Sequence, residues 1–106
     1  METEAKPKTL GMLVSSDRHL DYVIRLTEAA FGKGIKVKIF FTGNGVRLTQ
    51  SADFQKLTGK ANIALCDVSY RALGFNGDVP GLSFKDFATQ AKNAEMVKDC
   101  DRYVVF

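Results

Sequence analysis

The sequence predicts an α/β domain, a three-layer sandwich around a short, mainly parallel sheet of four or five strands. Three observations predict it. Short apolar runs with little polar alternation, Thr9–Val14 first among them, suit strands covered on both faces. Strand and helix patterns alternate along the chain in the order βαβαβααβ, and right-handed crossovers between such strands make them parallel. The length of 106 residues, with 45% hydrophobic and 25% charged residues, fits one compact core. The domain is expected over residues 9–106, behind a short flexible polar arm at residues 1–8.

The first strand, Thr9–Val14, stops at Ser15-Ser16-Asp17. Ser16 or Asp17 is suited to cap a helix, since both side chains accept hydrogen bonds from free backbone N–H groups. Leu20, Val23, Ile24, Thr27, Ala30 and Phe31 then recur at helical spacing, and Gly32 and Gly34 end the pattern. Residues 35–41 read as the second strand, broken by Thr42-Gly43-Asn44-Gly45, whose glycines tolerate positive φ. A weaker helical segment covers about 49–57. The third strand is expected at 61–66 and a short helix at 67–73, closed by Gly74. Asn76-Gly77 and Pro80-Gly81 mark 75–82 as a loop. Ser83 and Asp86 have the spacing of a capping box, with Phe84, Phe87, Ala88, Ala91 and Ala94 as the apolar face of the last helix. Residues 102–106 close the chain as a strand.

The net charge of +3 is spread thinly, with Lys6-Pro7-Lys8 the longest basic cluster. Nucleic-acid binding, which wants a clustered basic stripe, is not expected. Neither is a membrane span, for which about 18 consecutive apolar residues would be needed. The first residues have no signal-peptide core, so reduced thiols and a cytoplasmic setting are expected. Two cysteines and one histidine provide no metal-ligand cluster, and no metal or cofactor is expected. Gly43-Asn44-Gly45 lacks the third glycine of a dinucleotide loop and the Gly-Lys-Ser/Thr of a phosphate loop.

In a parallel sheet, chemistry gathers beyond the carboxyl ends of the strands. That rule brings together Ser15, Ser16, Asn44, Cys66 and Asp67 on one rim. Cys66 ends a strand ahead of a helix, where free N–H groups favour a thiolate. A buried Cys acting as a small hydrophobe is the competing reading. Asp67 opposes the thiolate unless its carboxylate turns away. His19, the lone histidine, is a proton donor near Cys66 or simply a solvated helix-end residue. Arg47 and Arg71 are either anion-attracting groups or ordinary surface arginines. Cys100, between Asp99 and Asp101, reads as structural, because flanking carboxylates disfavour a thiolate. It belongs at the amino end of the last strand, too far from Cys66 for a disulfide.

With these pieces in place, about residues 10–106 resemble the DsrE/DsrF-like family, which includes DsrE/TusD-type sulfur-relay subunits. Phe40-Phe41-Thr42-Gly43-Asn44-Gly45-Val46 is similar to the family's Phe-rich strand and Asp-Gly-Val turn, with Asn44 at the Asp position. Asn62-Ile63-Ala64-Leu65-Cys66-Asp67-Val68-Ser69 is similar to the segment that bears the family's sulfur-carrying cysteine, a role that maps onto Cys66. Cys100-Asp101-Arg102-Tyr103-Val104-Val105-Phe106 resembles the closing strand, with Cys100 at an Ala position. The resemblance implies trimers or hexamers and a cysteine persulfide passed from a sulfur-donor protein to an acceptor protein. The function expected is therefore a small cytoplasmic sulfur carrier working through Cys66, possessing sulfane-transferase character rather than turnover chemistry. His19 and Arg71 are second-rank candidates for steadying the sulfur. The alternative is a non-catalytic oligomeric assembly or regulatory subunit whose rim binds a partner or small ligand. A peroxide-reducing thiol is weaker, because no resolving cysteine is evident.

Overall fold

The computed structural model describes residues 8–106, so the polar arm read at residues 1–8 lies, except for Lys8, outside the described residues. Five strands, β1 (Thr9–Val14), β2 (Lys36–Phe41), β3 (Asn62–Cys66), β4 (Phe87–Ala88) and β5 (Arg102–Val105), form one sheet in the order β4-β3-β2-β1-β5. Every pairing is parallel. Three α-helices flank it: α1 (Leu20–Gly32), α2 (Asp67–Ala72) and α3 (Gln90–Asp99). This is the α/β fold expected, a compact domain on a five-stranded, all-parallel sheet.

Alternation along the strands divides the core into two layers. Val37, Ile39 and Phe41 join Val23 and Ala30 of α1, Phe54, Leu57 and Tyr70 in the larger layer. Phe40, Ala64 and Cys66 point to the other face, where Met96 of α3 covers them. Phe41 and Phe54 meet edge to face at 5.5 Å, and both are fully buried. Such pairs add about 1 kcal/mol beyond their burial.

Three expectations are corrected. Helix α1 begins at Leu20 rather than after Ser16 or Asp17, with His19 at its N-cap and no side-chain cap bond. Ser15 is already engaged: its N–H and its hydroxyl both reach the Phe106 carbonyl, at 2.8 and 3.2 Å. The segment read as helical over 49–57 forms two consecutive 3-10 helices, Gly43–Gln50 and Ala52–Leu57. Ser51 separates them, extended at ψ 143 and accepting from the Asp53 N–H. The third correction lies at the Ser83–Asp86 capping box. It closes only one 3-10 turn, Phe84–Asp86, after which the chain extends into β4. Phe87 stands edge-on to Tyr70 at 5.2 Å, which draws this residue to the sheet edge. Helix α3 then starts afresh with Thr89 as its cap, accepting from Ala91 N–H at 3.2 Å.

The loop at 75–82 does not present an apolar surface. Val79 is 1% exposed, and Phe75 and Leu82 pack against the larger core. No helix among the described residues is long and apolar enough to cross a membrane.

Candidate functional site

Cys66 is the last residue of β3 and the N-cap of α2, with extended backbone angles of φ −79 and ψ 113. A cap position turns the side chain toward the first free N–H groups of the helix that follows. Burial pushes the Cys66 thiol up, but the polar groups around it outweigh burial, the Ser69 hydroxyl first, then the Ser69 N–H, the Gln90 amide and the Val68 N–H, although none closes a capping hydrogen bond to the sulfur. The thiol therefore sits below its ordinary value, and the thiolate is easier to form than in a free cysteine.

The groups around the sulfur are themselves held. Ser69 Oγ accepts the Gly43 N–H at 3.0 Å, and Gln90 Nε2 donates to Thr42 Oγ1 at 2.9 Å. The end of β2, the start of α2 and the start of α3 thus meet at one point. Close approach of backbone to backbone makes this possible at Gly45, which lies against the end of β1. A Cβ there would stand 2.7 Å from the Val14 carbonyl carbon and closer still to its oxygen.

The other residues expected on the rim divide into separate clusters. Asp67 turns to Arg71, whose Nε lies 3.1 Å from both carboxylate oxygens, and neither residue is among the groups that shift Cys66. Asn44 Oδ1 accepts Arg47 Nε at 3.3 Å within its own turn. Ser15 and His19 gather at the end of β5, with the His19 ring 6.4 Å from Phe106 and 5.8 Å from Tyr22. Ser16 keeps its hydroxyl buried without a partner. Since β2 lies between β1 and β3, this second cluster is two strands from Cys66.

Two residues at the site, Ser69 and Gln90, were not anticipated, whereas Thr42 belongs to the Phe41-Thr42-Gly43-Asn44-Gly45 turn expected on the rim. Ser69 carries a readable signal, because it follows Cys66 by three residues, the spacing at which a helix-cap partner returns to the cap. Gln90 carries none, because tertiary pairing alone brings it to this edge, where it meets Thr42.

Cys100 contrasts with Cys66. It packs beside the smaller core as the C-cap of α3, and both cysteines are free. Burial raises its thiol; Lys38 pulls it down, while Asp99 and Asp101 raise it further, with a net upward shift. Among the described residues, no three His, Cys, Asp or Glu side chains are grouped to hold a metal ion.

Beside the site, a cleft of about 570 Å³ runs along the free half of β3. Asn62, Ile63 and Ala64 form its floor, Leu82, Lys85 and Asp86 one wall, and Lys92, Glu95 and Met96 of α3 the other.

The features together define a class: a small parallel α/β domain with a thiolate-favouring cysteine at the carboxyl edge of its sheet. Beyond that class, the chain matches no protein-family model, and no curated protein is a recognisable relative.

Proposed function

We propose that the chain is a small cytoplasmic sulfur carrier of the DsrE/DsrF-like kind, with Cys66 as the sulfur-bearing residue. The observation that carries this reading is the cradle of donors that lowers the Cys66 thiol while burial and two carboxylates raise that of Cys100. The motif resemblance around Cys66 points to the same residue.

The chemistry is thiol exchange. The Cys66 thiolate attacks the outer sulfur of a donor persulfide, R–S–SH. A new S–S bond forms at Cys66, the donor's S–S bond breaks, and R–S⁻ leaves. The product is a Cys66 persulfide, with no net oxidation. Attack on that outer sulfur by an acceptor thiolate returns Cys66 to its starting state. Ser69, Gln90 and the two backbone N–H groups favour the Cys66 thiolate before the attack and again when it leaves after transfer to the acceptor, and no cofactor takes part. Trimers or hexamers and separate donor and acceptor proteins belong to this reading. Light scattering that finds only monomer at micromolar concentration removes the assembly part.

Intact-mass measurement after incubation with a persulfide donor tests the carrier. The parent chain and Cys100→Ser are expected to gain the mass of one sulfur atom, and Cys66→Ser none. Equal uptake by Cys66→Ser overturns the assignment. A second reading, a non-catalytic assembly subunit, is favoured by one observation: Cys66 is only 5% exposed. Under that reading neither cysteine takes up sulfur.

A further inference from the structure

We infer that residues 83–90 form a strap that gates Cys66, opening by local detachment of β4 from β3. The inference rests on the reading of Cys66 as a working thiol, because a residue only 5% exposed offers a reagent little access until something moves. Together with Met96 of α3, the strap packs over it. Ala88 is the strand partner of Cys66, and Gln90, at the end of the strap, donates its amide to Thr42 Oγ1 at 2.9 Å.

The strap is also the most weakly held part of the sheet. Strand β4 contributes only two paired residues, Leu65↔Phe87 and Cys66↔Ala88, where β1 and β2 share six. Its remaining attachments are few. Phe87 leans on Tyr70 and Gln90 reaches Thr42, while the Ser83 N–H donates to Asp86 Oδ2 at 2.8 Å within the strap and holds the turn that leads into β4. Segments with so few buried contacts open at a small fraction of the cost of global unfolding.

The cleft gives the opening a direction. Leu82, Lys85 and Asp86 form its strap-side wall, while Ala64 and Met96 belong to the cluster that packs on Cys66. Moving the strap outward extends the existing cleft to the sulfur. The opposite face of β3 offers no such path, because Leu65 is fully buried there. Phe84, at 94% exposure, takes no part in the fastening and serves as a control position on the strap itself.

The test is alkylation of Cys66 by iodoacetamide in a Cys100→Ser background, alongside hydrogen exchange of the core amides of Met12 and Ile39. Asp86→Ala removes both side-chain bonds to Ser83, and Ser83→Ala weakens the same box without changing charge. Each is expected to speed Cys66 alkylation, Asp86→Ala by about fivefold, the usual worth of a lost cap. Phe84→Ala leaves the rate where it was, and the core amides exchange as before. An unchanged Cys66 rate in both loosened variants overturns the strap, as does a matching acceleration of core exchange. Sulfur uptake separates the two inferences. Faster alkylation in Asp86→Ala with no uptake from a persulfide donor removes the carrier and leaves the strap. Uptake with unaltered alkylation removes the strap and leaves the carrier.

Discussion

Gly45→Ala is expected to destabilise the domain by about 3 kcal/mol or more, at the upper end of what overpacking a close contact costs. The reason is the joint between β1 and the turn after β2. The Thr42 N–H donates to the Val14 carbonyl at 3.0 Å, and the Gly45 N–H donates to the Thr42 carbonyl at 2.9 Å. A Cβ on Gly45 would sit 2.7 Å from Val14 C and 3.2 Å from Ser15 N, all backbone atoms with no side chain to swing aside. The methyl group therefore pushes the β1 end away from the turn and breaks the Thr42 bond with it. Gly32→Ala is the matched control. Nothing lies within 4 Å of its Cβ and its φ is not positive, so alanine stabilises by about 0.5 to 1 kcal/mol through the unfolded chain. Urea unfolding of the two variants is expected to move in opposite directions. A Gly45→Ala midpoint equal to the parent's contradicts the account.

Ser69→Ala is expected to shift the pH profile of Cys66 alkylation upward and to slow the reaction at neutral pH by about tenfold, since a hydrogen bond to a charged group is worth about 1.5 kcal/mol or more. The Ser69 hydroxyl is first among the groups lowering the thiol, and its loss leaves burial less opposed. The direction is diagnostic. If Ser69 merely held the site closed, by accepting the Gly43 N–H, its removal would speed alkylation. A profile that keeps its midpoint rules out thiolate stabilisation by Ser69. The same shift has a stability counterpart. Cys66 has a lowered folded value, so its contribution is present above the unfolded thiol value and is lost as pH falls through the folded one. Cys100 has the opposite shift, with stability present below the unfolded value and lost as pH rises through the folded one. Comparing Cys66→Ala with its parent, both in a Cys100→Ser background, isolates the first effect.

The sheet was largely legible from local pattern. Apolar runs mark β1 and β3, and β2 alternates with Lys36 and Lys38 before Phe40 and Phe41; polar residues or the Thr42-Gly43 turn stand where the strands end. Strand β4 was not legible. Phe87 and Ala88 fall in step with Ala91 and Ala94, so a helix absorbs them when spacing alone is read. Only the meeting of Phe87 with Tyr70, 17 positions away, makes that pair a strand. At the site, Cys66 could be placed because a strand end followed at once by a helix is a local signal. Its neighbours divide by sequence distance: Ser69 lies within one turn, whereas Gln90 arrives through the fold of the whole second half. His19 was placed on the right edge of the sheet but beside the wrong strand, because sequence order does not reveal that β1 and β3 are separated by β2.

The adjacency of β1 and β5 carries a consequence for how the chain assembles. Thr9 N–H bonds to Asp101 Oδ2 at 2.8 Å across a separation of 92 residues, whereas β1 meets β2, and β2 meets β3, over a single short crossover each. Closing long loops costs more chain entropy and slows folding, so the β1–β2–β3 half is expected to form ahead of β5. Helix α3 is tied to that late strand through the hydrogen bond between Tyr103 and Asn93. The layer that shelters Phe40, Cys66 and Cys100 would then be the last to settle. A newly made chain would expose both thiols to cellular oxidants before either the strap or the helix protects them.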